Sequence, residues 1–426
     1  MKKIILLSVL LSVAGLSINA QKEKCATMKH WEKIKEMDPD AQHRMEQLEL
    51  QTRNWIKSNQ GQRSALIVTI PVVVHVVYHT DTENVSESQI NSQIVVLNED
   101  FRKLNTDTLS PSHPFYPLMG DSEIEFCLAQ QDPDGNISNG ITRTFTNSTS
   151  FSGNDSEKFD ESGGKNNWDP TQYLNLWVCN LGSSDGTLGY ATFPSDLADF
   201  SEYDGVVIDF RAFGTEGTAG SGDFEYNDLG RTATHEVGHW LNLSHIWGDA
   251  ECGDDKVADT PTAEMDNAGC PTFPYNANSV CGTDENGEMY MNFMDYTDDE
   301  CMAMFSNGQS NRMEAAIMAE RSELLNSEGC TPVTGIANLN EAVLYFMIFP
   351  NPSEGYFFVD LQSEQPDDVE IKVINMLGEI VYQRSMQSVI TLSKYKIDIS
   401  NEASGIYFVN IKKGDYTTHK KLIIEK

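Results

Sequence analysis

The stretch from His235 to His245, HEVGHWLNLSH, sets three imidazoles and one carboxylate at spacings that suit a catalytic zinc ion. On an α-helix, residues four apart share a face, so His235 and His239 present ring nitrogens to one ion. Glu236 lies one residue off that face. Its carboxylate therefore stands near the ion without ligating it, in reach of a proton on water held there. His245 meets the same ion only if the chain turns after His239, and Asn242 sits where that turn is needed. After Gly, Asn best tolerates the left-handed conformation that ends helices. The bland alternative is a set of surface histidines on an ordinary helix. With nine His in 426 residues, a His-Glu-x-x-His match arises by accident on the order of once in a hundred such chains, and the third His makes it rarer.

Something must hold such a helix. The run IVTIPVVVHVVYHT has the continuous branched apolar character of a strand buried on both faces. SQIVVLNEDFRKLN alternates at helical period. IEFCLAQ and LNLWVCNL read as strands, and LGYATFP with DGVVIDF as a further pair. Strands mixed with long helices and leading into the histidine helix describe an α/β (α+β) layer, with the site along one edge. His75 and His79 lie in or beside the first strand and read as strand histidines, since the ion already has three imidazoles. The glycine-rich stretches SSDGTLG and FGTEGTAGSGDF read as loops around the cleft, without the strand-to-helix setting of a phosphate loop. QSNRMEAAIMAERSELLNSEGC is an amphipathic helix that closes the unit.

HEVGHWLNLSH followed by Met294 within NFMDYTDDECM resembles the metzincin zinc peptidases, and the flanking residues resemble the pappalysin branch. One departure stands out: the family has Gly at the bend where this chain has Asn242. The resemblance implies a zincin catalytic domain with a twisted mixed sheet and an active-site helix. His235, His239 and His245 would hold Zn²⁺, with Glu236 as general base. Met294 would form an apolar floor below the ligands, and Tyr296 would donate a hydrogen bond to the oxyanion. Asp298 and Asp299 would lie beside the pocket for the side chain after the scissile bond, Asp299 at its base selecting Arg or Lys. An enzyme of that preference would cut Gln62-Arg63 in its own chain. The GYATFP strand would be the edge on which an extended peptide docks antiparallel.

Between helix and Met294 runs a long, acidic, irregular insert, and such a loop needs something to hold it. By the same resemblance Cys252 pairs with Cys281 and Cys270 with Cys301, one of three connectivities open to four cysteines. Asp254, Asp255, Asp259 and Thr260, with backbone carbonyls, offer the hard oxygen ligands that suit Ca²⁺, which the family binds here.

Length and composition fit two folded units with processing segments. Residues 1–20, with Lys2 and Lys3 before the apolar run Ile4 to Leu16 and a small residue at Ala20, read as a secretory signal peptide. Export makes the eight cysteines candidates for disulfides. The pairing of Cys127, Cys179 and Cys330 stays open. Residues 21–63 are polar and helix-prone with too little apolar surface to fold alone, and read as a propeptide lying across something else. Cys25 within it can place a thiolate on the metal and keep the zymogen silent, or form a disulfide. The peptidase domain spans 64–331 and a polar linker 332–343. From 344 to 426, short β-type runs with Asn-Pro, Leu-Gly and Lys-Gly-Asp turns describe a small all-β sandwich. FPNPSEG, MLGEIV, GIYFV and the terminal KKLIIEK resemble the sorting domain of the type IX secretion system, which implies that machinery as partner and a secreted or cell-surface destination. An adhesive or carbohydrate-binding module is the alternative for this domain.

The net charge of −34 argues against nucleic acid and anionic membranes as partners. No other stretch is long and apolar enough for membrane insertion. Two rivals to a secreted zinc endopeptidase remain: an adhesin or binding protein with a non-catalytic zinc, and a metal hydrolase acting on something other than peptides.

Overall fold

The strand β1 (Val68–Tyr78) is the one on which the first sheet is assembled. The computed structural model describes residues 24–59, 67–182, 186–197, 199–283, 285–332, 345–353, 355–376, 378–413 and 416–426. The expected signal peptide, the propeptide end at Arg63 and nearly all of the expected linker lie outside the described residues. All of β1 but Thr69 and Tyr78 is buried, which its unbroken branched apolar run requires. It pairs in parallel with β2 (Ile124–Leu128) along its first half and with β3 (Ile141–Phe145) along its second. On its other side lies β4 (Leu174–Cys179), followed by β6 (Val206–Asp209), both parallel. The last strand, β5 (Gly189–Ala191), is antiparallel and forms the edge.

Alternation along the strands divides the burial between two layers. Val72, Val74, Val76, Leu176, Val178 and Ile208 face a core completed by α3 (Glu87–Phe101) and α4 (Arg231–Trp240), through Ile90, Leu97, Phe101, Ala233, Val237 and Trp240. Trp177, Cys179, Tyr190 and Val207 face the other way, against Phe151 and Ala26. Ser86 starts α3 by accepting from the Gln89 amide, which satisfies one of the orphan donors of the first turn.

The polar N-terminal segment forms α1 (Thr27–Met37) and α2 (Ala41–Ser58). Its few apolar residues turn inward: Trp31, Ile34 and Ala41 pack on Phe193. Helix α2 also runs against α5 (Asn307–Glu320), whose first turn carries a complete capping box between Ser306 and Gln309. Disulfides join Cys252 to Cys281 and Cys270 to Cys301 within the loop before α5, and Cys127 of β2 to Cys330. Cys25 and Cys179 are free and buried.

The chain divides near residue 333 into two compact units. The second is one antiparallel sheet of β7 (Tyr345–Phe349), β8 (Tyr356–Asn375), β9 (Ile380–Asp398), β10 (Gly405–Lys413) and β11 (Tyr416–Ile424). The expected sandwich takes the form of two long strands that serve both halves. Residues 358–362 of β8 pair with β7, whereas 369–375 pair with β10. Register shifts between β8 and β9 separate the two stretches. Phe357, Val359, Leu361, Val369, Ile371 and Val373 bury the inner face.

Candidate metal centre

Helix α4 presents His235 and His239 from successive turns, and both are buried. Their Nε2 atoms stand 3.1 Å apart, and Nε2 of His245 lies 3.1 Å from that of His239. Each Nδ1 has its own partner: His235 donates to the Phe293 carbonyl at 2.7 Å and His239 to the Leu243 carbonyl at 2.8 Å. The third ring meets Asp249 Oδ1 at 2.5 Å. A carbonyl can only accept, so the proton of His235 and His239 is on Nδ1 and a lone pair on Nε2 faces the common centre. Burial pushes His235 down to about 3 and His239 well below the ordinary value, keeping both rings neutral as ligation demands. Converging lone pairs repel unless a cation lies among them.

The turn that brings His245 back is at Asn242, with φ of 71°. The amide of Leu243 closes on the Gly238 carbonyl at 2.9 Å, ending the helix with a left-handed residue. A Cβ on Gly238 would lie 2.5 Å from Met294 Sδ, so glycine here is what lets the methionine come up under the helix. Met294 is fully buried, and its carbonyl accepts from the Ile246 amide at 3.1 Å, tying the two segments together.

A fourth donor comes from far away in sequence. Cys25 Sγ and one nitrogen from each of His235, His239 and His245 all lie within 4.8 Å of one another. Three imidazole nitrogens and a sulfur are a zinc donor set. Burial, then Glu236, raises the Cys25 thiol well above its ordinary value, so a cation at the centre is what would make it a thiolate. The chain around it lies along the sheet edge: the Leu188 amide donates to the Lys24 carbonyl at 2.7 Å and the Ala26 amide to the Gly189 carbonyl at 3.0 Å. Cys25 and Gly189 are bridged in parallel. A Cβ on Gly189 would meet Val207 O at 2.8 Å and Glu236 Cγ at 3.1 Å, so this edge passes directly over Glu236. That carboxylate accepts from Thr27 Oγ1 at 2.8 Å and from Cys25 Sγ at 3.4 Å, and burial pushes it up to about 8. Tyr296 donates to the Cys25 carbonyl at 3.3 Å.

Residues 157–318 match the family described as pregnancy-associated plasma protein-A, and residues 347–425 match the secretion system C-terminal sorting domain. A mutant promirolysin of Tannerella forsythia is 44% identical in sequence, with a TM-score of 0.64 over 71% of this chain and 97% of that one. An extracellular metalloprotease of Arthroderma otae is 31% identical over 264 residues, 60% of this chain and 79% of its own length. The chain belongs to the pappalysin family. Its C-terminal unit marks it as an exported pappalysin. An extracellular metalloprotease of Colletotrichum graminicola is 39% identical over 139 residues, and the match spans 46% of that protein's length.

In this pappalysin a cleft beside Glu236 is walled by Leu188, Asn227, Thr232, Asp295, Thr297 and Asp299. Lys24 lies at it, with Nζ 3.4 Å from Asp298 Oδ1. Asp299 is buried and accepts from the amides of Leu229 at 2.9 Å and Arg231 at 3.3 Å. It thus caps the N-terminus of α4, where Gly230 has no side chain to do so. Of the four oxygen ligands expected for calcium, Asp255 and Thr260 are bonded to each other. Asp254 holds Lys256, Asp255 holds Val257 and Thr260, and Asp259 accepts from Ser306 and the Gly308 amide at the start of α5. His75 and His79 lie apart from the centre, bonded to Thr142, Asn175 and the Thr146 carbonyl. No sequence pattern marks Asp249, Thr27 or Lys24: Asp249 meets His245 across a local turn, and the other two act through contacts that the fold makes.

Proposed function

We propose that the chain is a zinc endopeptidase held latent, until it is processed, by its own N-terminal segment. The carrying observation is the Cys25 sulfur set among three Nε2 atoms while its main chain lies on β5, where a peptide substrate would lie. Bound zinc would polarise the scissile carbonyl and make water a stronger acid. His235, His239 and His245 would hold it. Glu236 accepts the proton of the attacking water and hands it to the leaving amine. Tyr296, released from the Cys25 carbonyl, donates to the oxyanion. Substrate runs antiparallel to β5, so the residue after the scissile bond enters the cleft that Lys24 now caps. Asp298 and Asp299 there support a preference for Arg or Lys, and the pairing of Lys24 with Asp298 supports it further.

On this reading residues 21–63 are the propeptide, 64–331 the peptidase and 344–426 the module that engages the type IX secretion machinery. A structural Ca²⁺ in the loop before α5, drawing on Asp254, Asp255, Asp259, Thr260 and backbone carbonyls, is carried by family resemblance alone. Loss of thermal stability on calcium removal, restored by calcium but not by zinc, tests it.

The rival is a non-catalytic zinc closed by four protein ligands, for which Cys25 supplies the fourth in the full-length chain. Incubating the purified full-length protein separates the two. A peptidase loses a fragment ending near Gln62 in a chelator-sensitive way, and Glu236→Ala keeps its zinc yet stays intact. An intact wild-type chain that also cuts no peptide library leaves the binding protein.

A further inference from the structure

Asp155 and Glu157 lie beside the N-terminal segment on the outer face of the sheet. We propose that they form, with Tyr190, a second cation-binding subsite on the part of the cleft before the scissile bond, filled in the full-length chain by His30 and Lys33. This rests on the peptidase reading above.

The position follows from the direction of the chain. After Cys25 the segment runs parallel to β5, and Thr27 Oγ1 accepts from the Ala191 amide at 2.8 Å. A substrate running the opposite way meets this stretch with the residues that precede its scissile bond. Tyr190 points away from Glu236, to the face where Trp177, Cys179 and Ala26 pack. Its hydroxyl reaches Asp155 Oδ1 at 3.1 Å and also meets Glu157.

The donors to Asp155 come from two parts of the chain. Lys158 Nζ, 3.1 Å away, and Tyr190 serve Oδ1, and both belong to the catalytic unit. On Oδ2 the partners are Lys33 Nζ at 3.0 Å and His30 Nε2 at 3.1 Å, both on α1. His30 also lies 3.0 Å from Oδ1. Release of the segment therefore strips Oδ2 of both donors and opens the space between α1 and Ser152, Gly153, Leu181 and Thr187. Glu157 adds a second acceptor, since its Oε2 is buried without a partner. Asp155 is 1% exposed and held at φ of 65°, a conformation only a few per cent of non-glycine residues adopt. A buried acceptor so built costs free energy until a donor returns. Lysine or arginine brings one on a stem long enough to cross from an extended peptide, as Lys33 does from α1.

The experiment uses self-processed wild-type enzyme and peptides alike except for Lys or norleucine at the second, third or fourth position before the scissile bond, each with Arg after it. At one position Lys should lower KM about tenfold with kcat little changed. Asp155→Asn should abolish the difference between the paired peptides. Equal KM for every pair in the wild type overturns the subsite and leaves the peptidase standing. If no peptide is cut, both readings fall. The wild-type comparison decides the matter even if the variant does not fold.

Discussion

At the scale of single residues, the centre depends on groups that fix the ligands as much as on the ligands. His245 has a carboxylate behind it where the other two rings have carbonyls, so Asp249 fixes the orientation of the ring. Asp249→Ala should weaken zinc binding tenfold to hundredfold, on the order expected for such partners, as read by competition with a chelator. An unaltered affinity would show that the ring is held by packing on Trp247 instead. Cys25→Ala should shed its N-terminal fragment sooner than the wild type, since only Thr27 would then restrain Glu236; equal rates on a gel time course would remove the thiol from latency. The three histidines and Glu236 were legible because helical spacing is local. Thr27 and Lys24 were not, because their partners arrive through folding, that of Thr27 from 209 residues away, and Asp249 was not because it meets His245 across a turn and not along a helix.

Among the elements, the end of α4 is the most constrained. Asn242 combines a left-handed backbone with side-chain contact to Thr52 of α2 and a carbonyl that accepts from Arg312. Asn242→Ala should cost about 1–2 kcal/mol in denaturant unfolding, chiefly for the left-handed residue, and Asn242→Gly less. Equal losses would put the side-chain bond ahead of the backbone. Within β1, burial holds His75 at about 4 in the folded chain. A depressed histidine adds stability that is full above its unfolded value of about 6.5 and is lost as pH falls toward 4. His75→Gln should therefore lose less stability than the wild type between pH 7 and 4, by up to about 3 kcal/mol; parallel pH profiles would refute it. Strands β1, β2, β4 and the β5–β6 pair were readable from branched apolar runs, and so was α5. β3 was not, because ITRTF is short and half-exposed and shows no clear apolar alternation.

For the whole molecule, two units with separate cores make a simple demand. Calorimetry should resolve two transitions, and a chain ending near residue 332 should keep the one that responds to zinc removal. Loss of that transition would mean that the units fold as one. The change in composition after residue 331 exposed this division in the sequence, and the turn residues exposed the β character of the second unit. Its single sheet with shared long strands was hidden, because where a strand bends depends on pairing. Cys127 and Cys330 gave no sign of their bond across 203 residues, which only the finished sheet brings within reach. Six thiols of this exported chain end up oxidised and two do not, although all eight enter the same oxidising surroundings. Cys179 is sheltered by the strand that carries it, but Cys25 has only the docking of α1 and α2 to hide it. Were that docking slow, Cys25 would be a ready partner for Cys252 or Cys270, and scrambled chains would accumulate. Prompt seating of a piece destined to be discarded therefore protects the correct oxidation of what is kept.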